Sequence, residues 1–352
     1  MSGSNSYVGL ILGSYAIAQL LFRIPFGISY DRANKKKLWI IFGLISIFIG
    51  VIWMSLSKNF THLFIGRTIT GIGAATWGIF SIYLSSYFPK ALKIQAISIA
   101  TFINHSGIVV ATLIGGFMAQ QLGFQVVFVF AGFISMIAVL VFFTSKEVSV
   151  VPNNQDVNVN FFHILSDGSL IYACVMGLFL QFVTHATIFG FSPLYAKEIG
   201  ASEGILGVLT MLSLAFSGIS ALILIKYSER WSYGRWVYIG AIFMGISMFL
   251  LPLNSNLFIF GLLQIGIGIG RGFLMTIFMA LSIRQIPQKQ HATSIGIFQA
   301  IYALGMLSGP IVSGQLADSM GIISIFYLCG IICFCILLGS VIVKKINPII
   351  LS

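Results

Sequence analysis

Charge is what this 352-residue chain lacks. Lys, Arg, Asp and Glu make up 8% of it, against 58% hydrophobic residues. A soluble domain of this size carries far more charge, which excludes water as the solvent for most of the chain and leaves lipid. Acidic residues are scarcest. The eight are Asp31, Glu147, Asp156, Asp167, Glu198, Glu203, Glu229 and Asp318, all in loops or at the ends of apolar runs. No carboxylate therefore lies at membrane depth, where a proton-coupled carrier usually holds one. There are only four cysteines, Cys174, Cys329, Cys333 and Cys335, and all fall in apolar runs. Cys333 and Cys335 point to different sides of a helix, so they make no metal site and read as buried, inert thiols. No Gly-x-x-x-x-Gly-Lys-Ser/Thr loop is present, which excludes ATP as the fuel. No converging Ser/His set, Asp pair or His/Glu metal set lies at depth, which excludes a membrane-embedded enzyme. No cofactor is implied.

What the chain has instead is a series of apolar helical runs. Eleven spans are expected, at roughly 7–30, 38–57, 61–88, 95–119, 126–144, 169–193, 203–226, 235–253, 257–284, 292–317 and 322–343. The formal net charge of +11 would suit nucleic acid, but its distribution does not. Most Lys and Arg fall in alternate loops or the C-terminal tail, among them Arg32, Lys35, Lys36, Lys37, Arg230, Arg235, Lys344 and Lys345. Only Lys58 and Lys197 fall in the other loops. This asymmetry follows the positive-inside rule and puts the basic loops in the cytoplasm. The polar stretch from Lys146 to Asp167 is the one long connection. It divides an N-terminal bundle of five spans (1–145) from a C-terminal bundle of six (169–352), with a cytoplasmic linker at 146–168.

The first basic turn reads Gly27-x-x-x-Asp31-Arg32-x-x-Lys35-Lys36. Shifted by 198 residues, Asp31-Arg32 falls on Glu229-Arg230, Lys37 on Arg235 and Pro89 on Pro287. Gly107, Gly116 and Gly123 fall on Gly305, Gly314 and Gly321 under the same shift. A constant offset means two parallel repeats. The basic turn resembles the signature loop between the second and third helices of the major facilitator superfamily, and the whole chain is similar to that family. Arg67-Thr68-Ile69-Thr70-Gly71-Ile72-Gly73 resembles its fourth-helix motif, with Thr70 in place of the usual Gln. Gly305-x-x-x-Gly309-Pro310-x-x-x-Gly314 resembles the Gly-Pro motif of family antiporters, although the first half has no such Gly-Pro pair. The implied fold is an all-α polytopic membrane protein of two pseudo-symmetric bundles.

Ionisable groups at depth are the functional candidates. They are Arg67, His105, His185 and Arg271; Arg23 lies lower in its span and can snorkel to the cytoplasmic surface. Gln181 and His185 share a helical face, as do Arg271 and Met275. The resemblance places Arg67, Gln181, His185, Arg271 and Met275 along a central substrate pathway and His105 at the interface between halves. It makes Gly27, Asp31, Arg32, Lys35, Lys36, Glu229 and Arg230 a cytoplasmic gate. Small residues at Gly107, Gly116, Gly305, Gly309, Pro310 and Gly314 let helices approach. Gly266, Gly268, Gly270 and Gly272 form two small-x-x-x-small pairs for the same purpose. The expected function is ion-coupled efflux of a drug-like or metabolite molecule by a monomer, with a proton as the coupling ion. Uptake or exchange of an organic anion is the alternative, favoured by the embedded arginines. A receptor that transports nothing is the reading from another class. The repeat places the counterpart of the 169–193 span before Met1, so the first family helix is expected to be missing.

Overall fold

The computed structural model describes residues 4–32, 37–88, 93–145, 166–227, 230–287 and 290–351. All regular structure among them is helical: α1 (Asn5–Arg32), α2 (Lys37–Ser55), α3 (Phe60–Ala74), α4 (Trp77–Ser85), α5 (Lys93–Leu122) and α6 (Phe124–Thr144). Next come α7 (Gly168–Ala186), a π-helical turn (Thr187–Phe191) and α8 (Ser192–Glu198), in one continuous run. The rest are α9 (Glu203–Tyr227), α10 (Tyr233–Leu250), a 3-10 turn (Leu251–Leu253), α11 (Leu257–Leu281), α12 (His291–Met320), α13 (Ile323–Ile346) and α14 (Pro348–Leu351). Among the described residues, 11 helical stretches are long and apolar enough to cross a bilayer.

Local chemistry explains the boundaries. Asn59, Asp167 and Asn256 cap α3, α7 and α11 by accepting bonds from backbone N–H groups of the first turn. Pro252 tightens the end of α10 into a 3-10 turn. The span expected at 61–88 is broken after the glycine-rich end of α3, and α4 restarts at Trp77. The span expected at 169–193 runs on to Glu198 because the π turn widens the helix without ending it.

The helix pattern carries the repeat. A shift of 198 residues takes the ends of α5, Lys93 and Leu122, onto those of α12, His291 and Met320. The glycines that follow, Gly123 and Gly321, both take left-handed backbone, with φ of 83° and 85°. Glycine is the residue that makes this turn without steric cost, which is why it recurs at the same place.

The chain divides into two compact units, Leu10–Gln155 and Met1–Gly9 with Asp156–Ser352. In the first, α2 packs on α3 and α6. Phe26, Tyr30, Ile40, Ala75, Ile79 and Tyr83 form its buried core. Gly50 and Gly66 bring α2 and α3 to backbone distance, since a Cβ on Gly50 would lie 2.8 Å from the Gly66 carbonyl. The Lys37 amine donates to the Phe143 carbonyl at 2.8 Å and to that of Ser145, neutralising the C-terminal end of α6.

In the second unit, α7 is the most buried span and packs on α11, α12 and α13. The glycine run of α11 works as two stripes. Gly266 and Gly270 meet α10 at Ser247 and Gly240, while Gly268 and Gly272 meet the Ser213 and Ser217 carbonyls of α9. The start of α1 belongs to this unit. Ser4 Oγ donates to Asp318, as do the backbone N–H groups of Asn5 (2.7 Å) and Ser6 (2.9 Å). That carboxylate satisfies orphan donors at the N-terminus of α1. Outward faces are as apolar as the cores: Phe133, Val141, Leu222, Phe258 and Leu338 are all exposed. Only lipid solvates such faces without cost. Cys174, Cys329 and Cys333 are buried, whereas Cys335 is exposed, contrary to the expectation of four buried thiols.

Candidate functional site

Each unit places cationic and polar groups on buried or half-buried helix faces. In the first, Arg67 lies on α3 with Gly71 one turn further along the same face. A Cβ at Gly71 would be 2.5 Å from the Tyr15 carbonyl. The glycine therefore admits the α1 backbone, and this brings the Tyr15 ring to 4.9 Å from the Arg67 guanidinium. The contact is a cation–π pair. Arg67 Nε is buried and has no hydrogen-bond partner among the described residues.

Tyr15, Gln19 and Arg23 recur every four residues and share one face of α1. Arg23 Nη2 donates to Gln19 Oε1 at 2.9 Å. Its Nε and Nη1 are buried without partners among the described residues, and the side chain folds back along the helix onto Gln19. The result is a stripe of ring, amide and guanidinium facing the same way, with unspent donors.

In the second unit, Gln181 is buried on α7 and its Oε1 has no partner among the described residues. His185 Nδ1 lies 3.1 Å from the Gln181 carbonyl, and its ring centroid is 5.3 Å from that of Phe189 in the π turn. On α11, Arg271 Nη1 donates to Ser217 Oγ at 2.9 Å. The close α9–α11 approach at Gly268 and Gly272 makes that reach possible. Tyr302 of α12 lies within electrostatic range of Arg271.

Gly305 and Gly309 fit α12 against α7. A Cβ on either would fall 2.1 Å from the Leu178 carbonyl or 2.5 Å from the Phe182 carbonyl respectively. Gly314 meets the Asn5 carbonyl at 2.4 Å, and Pro310 offers its carbonyl to Gly9 at 2.2 Å, by the same measure.

Helices of this number, repeated in this way and joined by small-residue contacts, bear comparison with known membrane proteins. A profile of the Major Facilitator Superfamily matches residues 2–197 and 174–348. The chain belongs to the Major Facilitator Superfamily. As a member, it is an integral, multi-pass membrane transporter. An uncharacterized MFS-type transporter of Methanocaldococcus jannaschii is 25% identical, over 97% of this chain and 89% of that one. The multi-drug resistance efflux pump PmrA of Streptococcus pneumoniae is 26% identical, over 91% of this chain and 82% of the pump. The crystal structure of a bacterial homolog of the human lysosomal transporter Spinster, inward-facing and occupied, superposes with a TM-score of 0.84. It covers 100% of this chain and 91% of that one at 15% identity, which shows the fold alone.

In this facilitator, the other residues expected to serve transport are dispersed. Met275 is half-buried on α11, one turn beyond Arg271. His105 is exposed on α5. Among the described residues a Cβ on Gly107 would meet open space, and Gly116 is half-buried on the same helix. A Cβ on Gly27 likewise would meet nothing within 4 Å among the described residues beyond its own helix backbone. Of the cytoplasmic gate, Lys35, Lys36 and Glu229 lie outside the described residues, as do the side chains of Asp31 and Arg32. Arg230 is exposed, over the Tyr227 ring at 5.1 Å.

Sequence reasoning missed Tyr15, Gln19, Ser217 and Tyr302. The spacing of Tyr15, Gln19 and Arg23 was a usable signal. Ser217 gave none, because a serine in an apolar helix ordinarily bonds its own backbone.

Proposed function

We propose that this facilitator exports a drug-like or metabolite molecule by alternating access, driven by an ion gradient across the plasma membrane. The observation that carries the reading is the similarity to the PmrA efflux pump over 91% of this chain. Arg67, Gln181, His185, Arg271, Met275 and His105 are the proposed substrate pathway. Gly27, Asp31, Arg32, Lys35, Lys36, Glu229 and Arg230 are the proposed cytoplasmic gate, and the two repeats, 1–145 and 169–352, the rocking bundles. The chain works as a monomer on this reading. Its test is transport by purified protein in sealed proteoliposomes with an imposed gradient, across a panel of cationic, neutral and anionic compounds. Gradient-dependent movement of at least one compound out of the side bearing the basic loops is expected. Movement of none, by protein that is folded in the same vesicles, refutes the reading.

Exchange or uptake of an organic anion is the second reading. It is supported by the buried donors of Arg23 and Arg67 that have no partner among the described residues. Guanidinium suits carboxylate and phosphate through paired, charge-assisted bonds. Anions alone moving in the same panel would favour it.

A further inference from the structure

The π turn between α7 and α8 has a cavity beside it that no part of the transport reading uses. It is lined by Ile188, Ser192, Pro193, Thr210, Phe260 and Gln264, together with Leu206 and Leu209. Its size suits one water molecule or one small ion. Three helices deliver its polar groups at one level. Thr210 lies about two turns into α9 and Gln264 about two turns into α11, both counted from the ends away from the basic loops.

The lining residues carry four candidate oxygens. Ser192 is buried, and its Oγ has no hydrogen-bond partner among the described residues. Thr210 Oγ1 spends its proton on the Leu206 carbonyl at 2.9 Å, which leaves its lone pairs free. Gln264 Oε1 accepts from Ser213 Oγ, and a carbonyl oxygen has a second lone pair to offer. The fourth comes from the backbone. The Ser192 N–H bonds the Thr187 carbonyl, five residues back, as a π turn requires. In that register the next donor, to the Ile188 carbonyl, would be Pro193, which has no N–H. The π register therefore assigns no N–H to the Ile188 carbonyl, and Ile188 lines the cavity.

We propose that this cavity is a Na+ site, formed by Ser192 Oγ, Thr210 Oγ1, Gln264 Oε1 and the Ile188 carbonyl. Oxygen-only coordination suits a hard cation. The absence of any carboxylate from the lining suits a monovalent ion over a divalent one. A π turn inside a helix is a recurrent place for a functional site. The site does not depend on which molecule the protein moves, so it stands or falls apart from the export reading.

The test is thermal unfolding of the full-length protein in detergent, in NaCl, KCl or choline chloride at one ionic strength. The parent protein should show a saturable rise in midpoint with Na+ that K+ and choline do not reproduce. Ser192→Ala and Thr210→Val should each raise the half-saturating Na+ concentration at least tenfold, while Thr210→Ser, which keeps the oxygen, should retain the response. Should Ser192→Ala fail to fold, the Thr210 pair and direct binding of radioactive Na+ decide the matter. Equal midpoints in all three salts, meaning a bound water only, overturn the proposal. A Na+ response unchanged by both Thr210→Val and Ser192→Ala places the ion elsewhere and overturns it too.

Discussion

Gly305 and Gly107 occupy the same position in the two repeats, and the structure gives them opposite surroundings. Changing each to alanine adds one methyl group to a helix interior. At Gly305 the new Cβ would lie 2.1 Å from the Leu178 carbonyl and 2.9 Å from the Phe182 N–H nitrogen. Ordinary contact begins at 3.4 Å, and both obstacles are backbone, so α7 and α12 must separate. Overpacking of this kind costs about 1–3 kcal/mol. The better helix propensity of alanine returns only about 0.5–1 kcal/mol. Gly305→Ala is therefore expected to destabilise the protein. At Gly107 the new Cβ would meet no atom of the described residues within 4 Å beyond its own helix backbone, so only the propensity gain remains, and Gly107→Ala should be neutral or slightly stabilising. Gly309→Ala, whose Cβ would lie 2.5 Å from the Phe182 carbonyl, repeats the first case. The assay is thermal unfolding of detergent-purified protein, read from tryptophan fluorescence and from exposure of the buried Cys174, Cys329 and Cys333 thiols to a reactive dye. A Gly305→Ala midpoint at or above the parent's would show that the α7–α12 contact is looser than described.

Three further perturbations test other contacts. Ser217→Ala leaves the half-buried Arg271 Nη1 without its acceptor, at a cost of about 1–3 kcal/mol; Ser217→Thr, which keeps the oxygen, should unfold close to the parent, and equal midpoints for the two variants would remove the bond's importance. If the substrate is an anion, Arg67→Ala should raise its apparent binding constant roughly tenfold or more, the worth of a charge-assisted bond, whereas Tyr15→Leu should have a smaller effect through the lost cation–π contact; unchanged binding of every anion by Arg67→Ala refutes that use of the guanidinium. Asp318→Asn removes the charge onto which Ser4, Asn5 and Ser6 converge, and hydrogen exchange at the Asn5 and Ser6 amides should speed up; rates equal to the parent's would show that the carboxylate does not hold that helix start in solution.

The sequence alone determined the solvent, the number of apolar spans and the repeat. Those follow from composition and periodicity, because a bilayer requires about 20 apolar residues per crossing whatever their partners. The offset of 198 could be read from a few glycines and prolines, since Gly123 and Gly321 are fixed by a local backbone need that no neighbour alters. The two glycine stripes of α11 were legible for a similar reason: spacing alone fixes which glycines share a face.

Partnership was decided only by the tertiary structure. Arg23 read as a snorkelling side chain, yet it folds onto Gln19. Arg271 read only as an ionisable group at depth, yet it finds Ser217, a neighbour 54 residues away in the chain. The π turn after His185 has no composition signature, because its i to i−5 bonds cost the sequence nothing visible. With it went the meaning of Ser192, Thr210 and Gln264, which look like scattered small polar residues until three helices bring them to one cavity. Helical periodicity says which side chains share a face of one helix. Which face meets which is set by packing between helices, and no single helix carries that information.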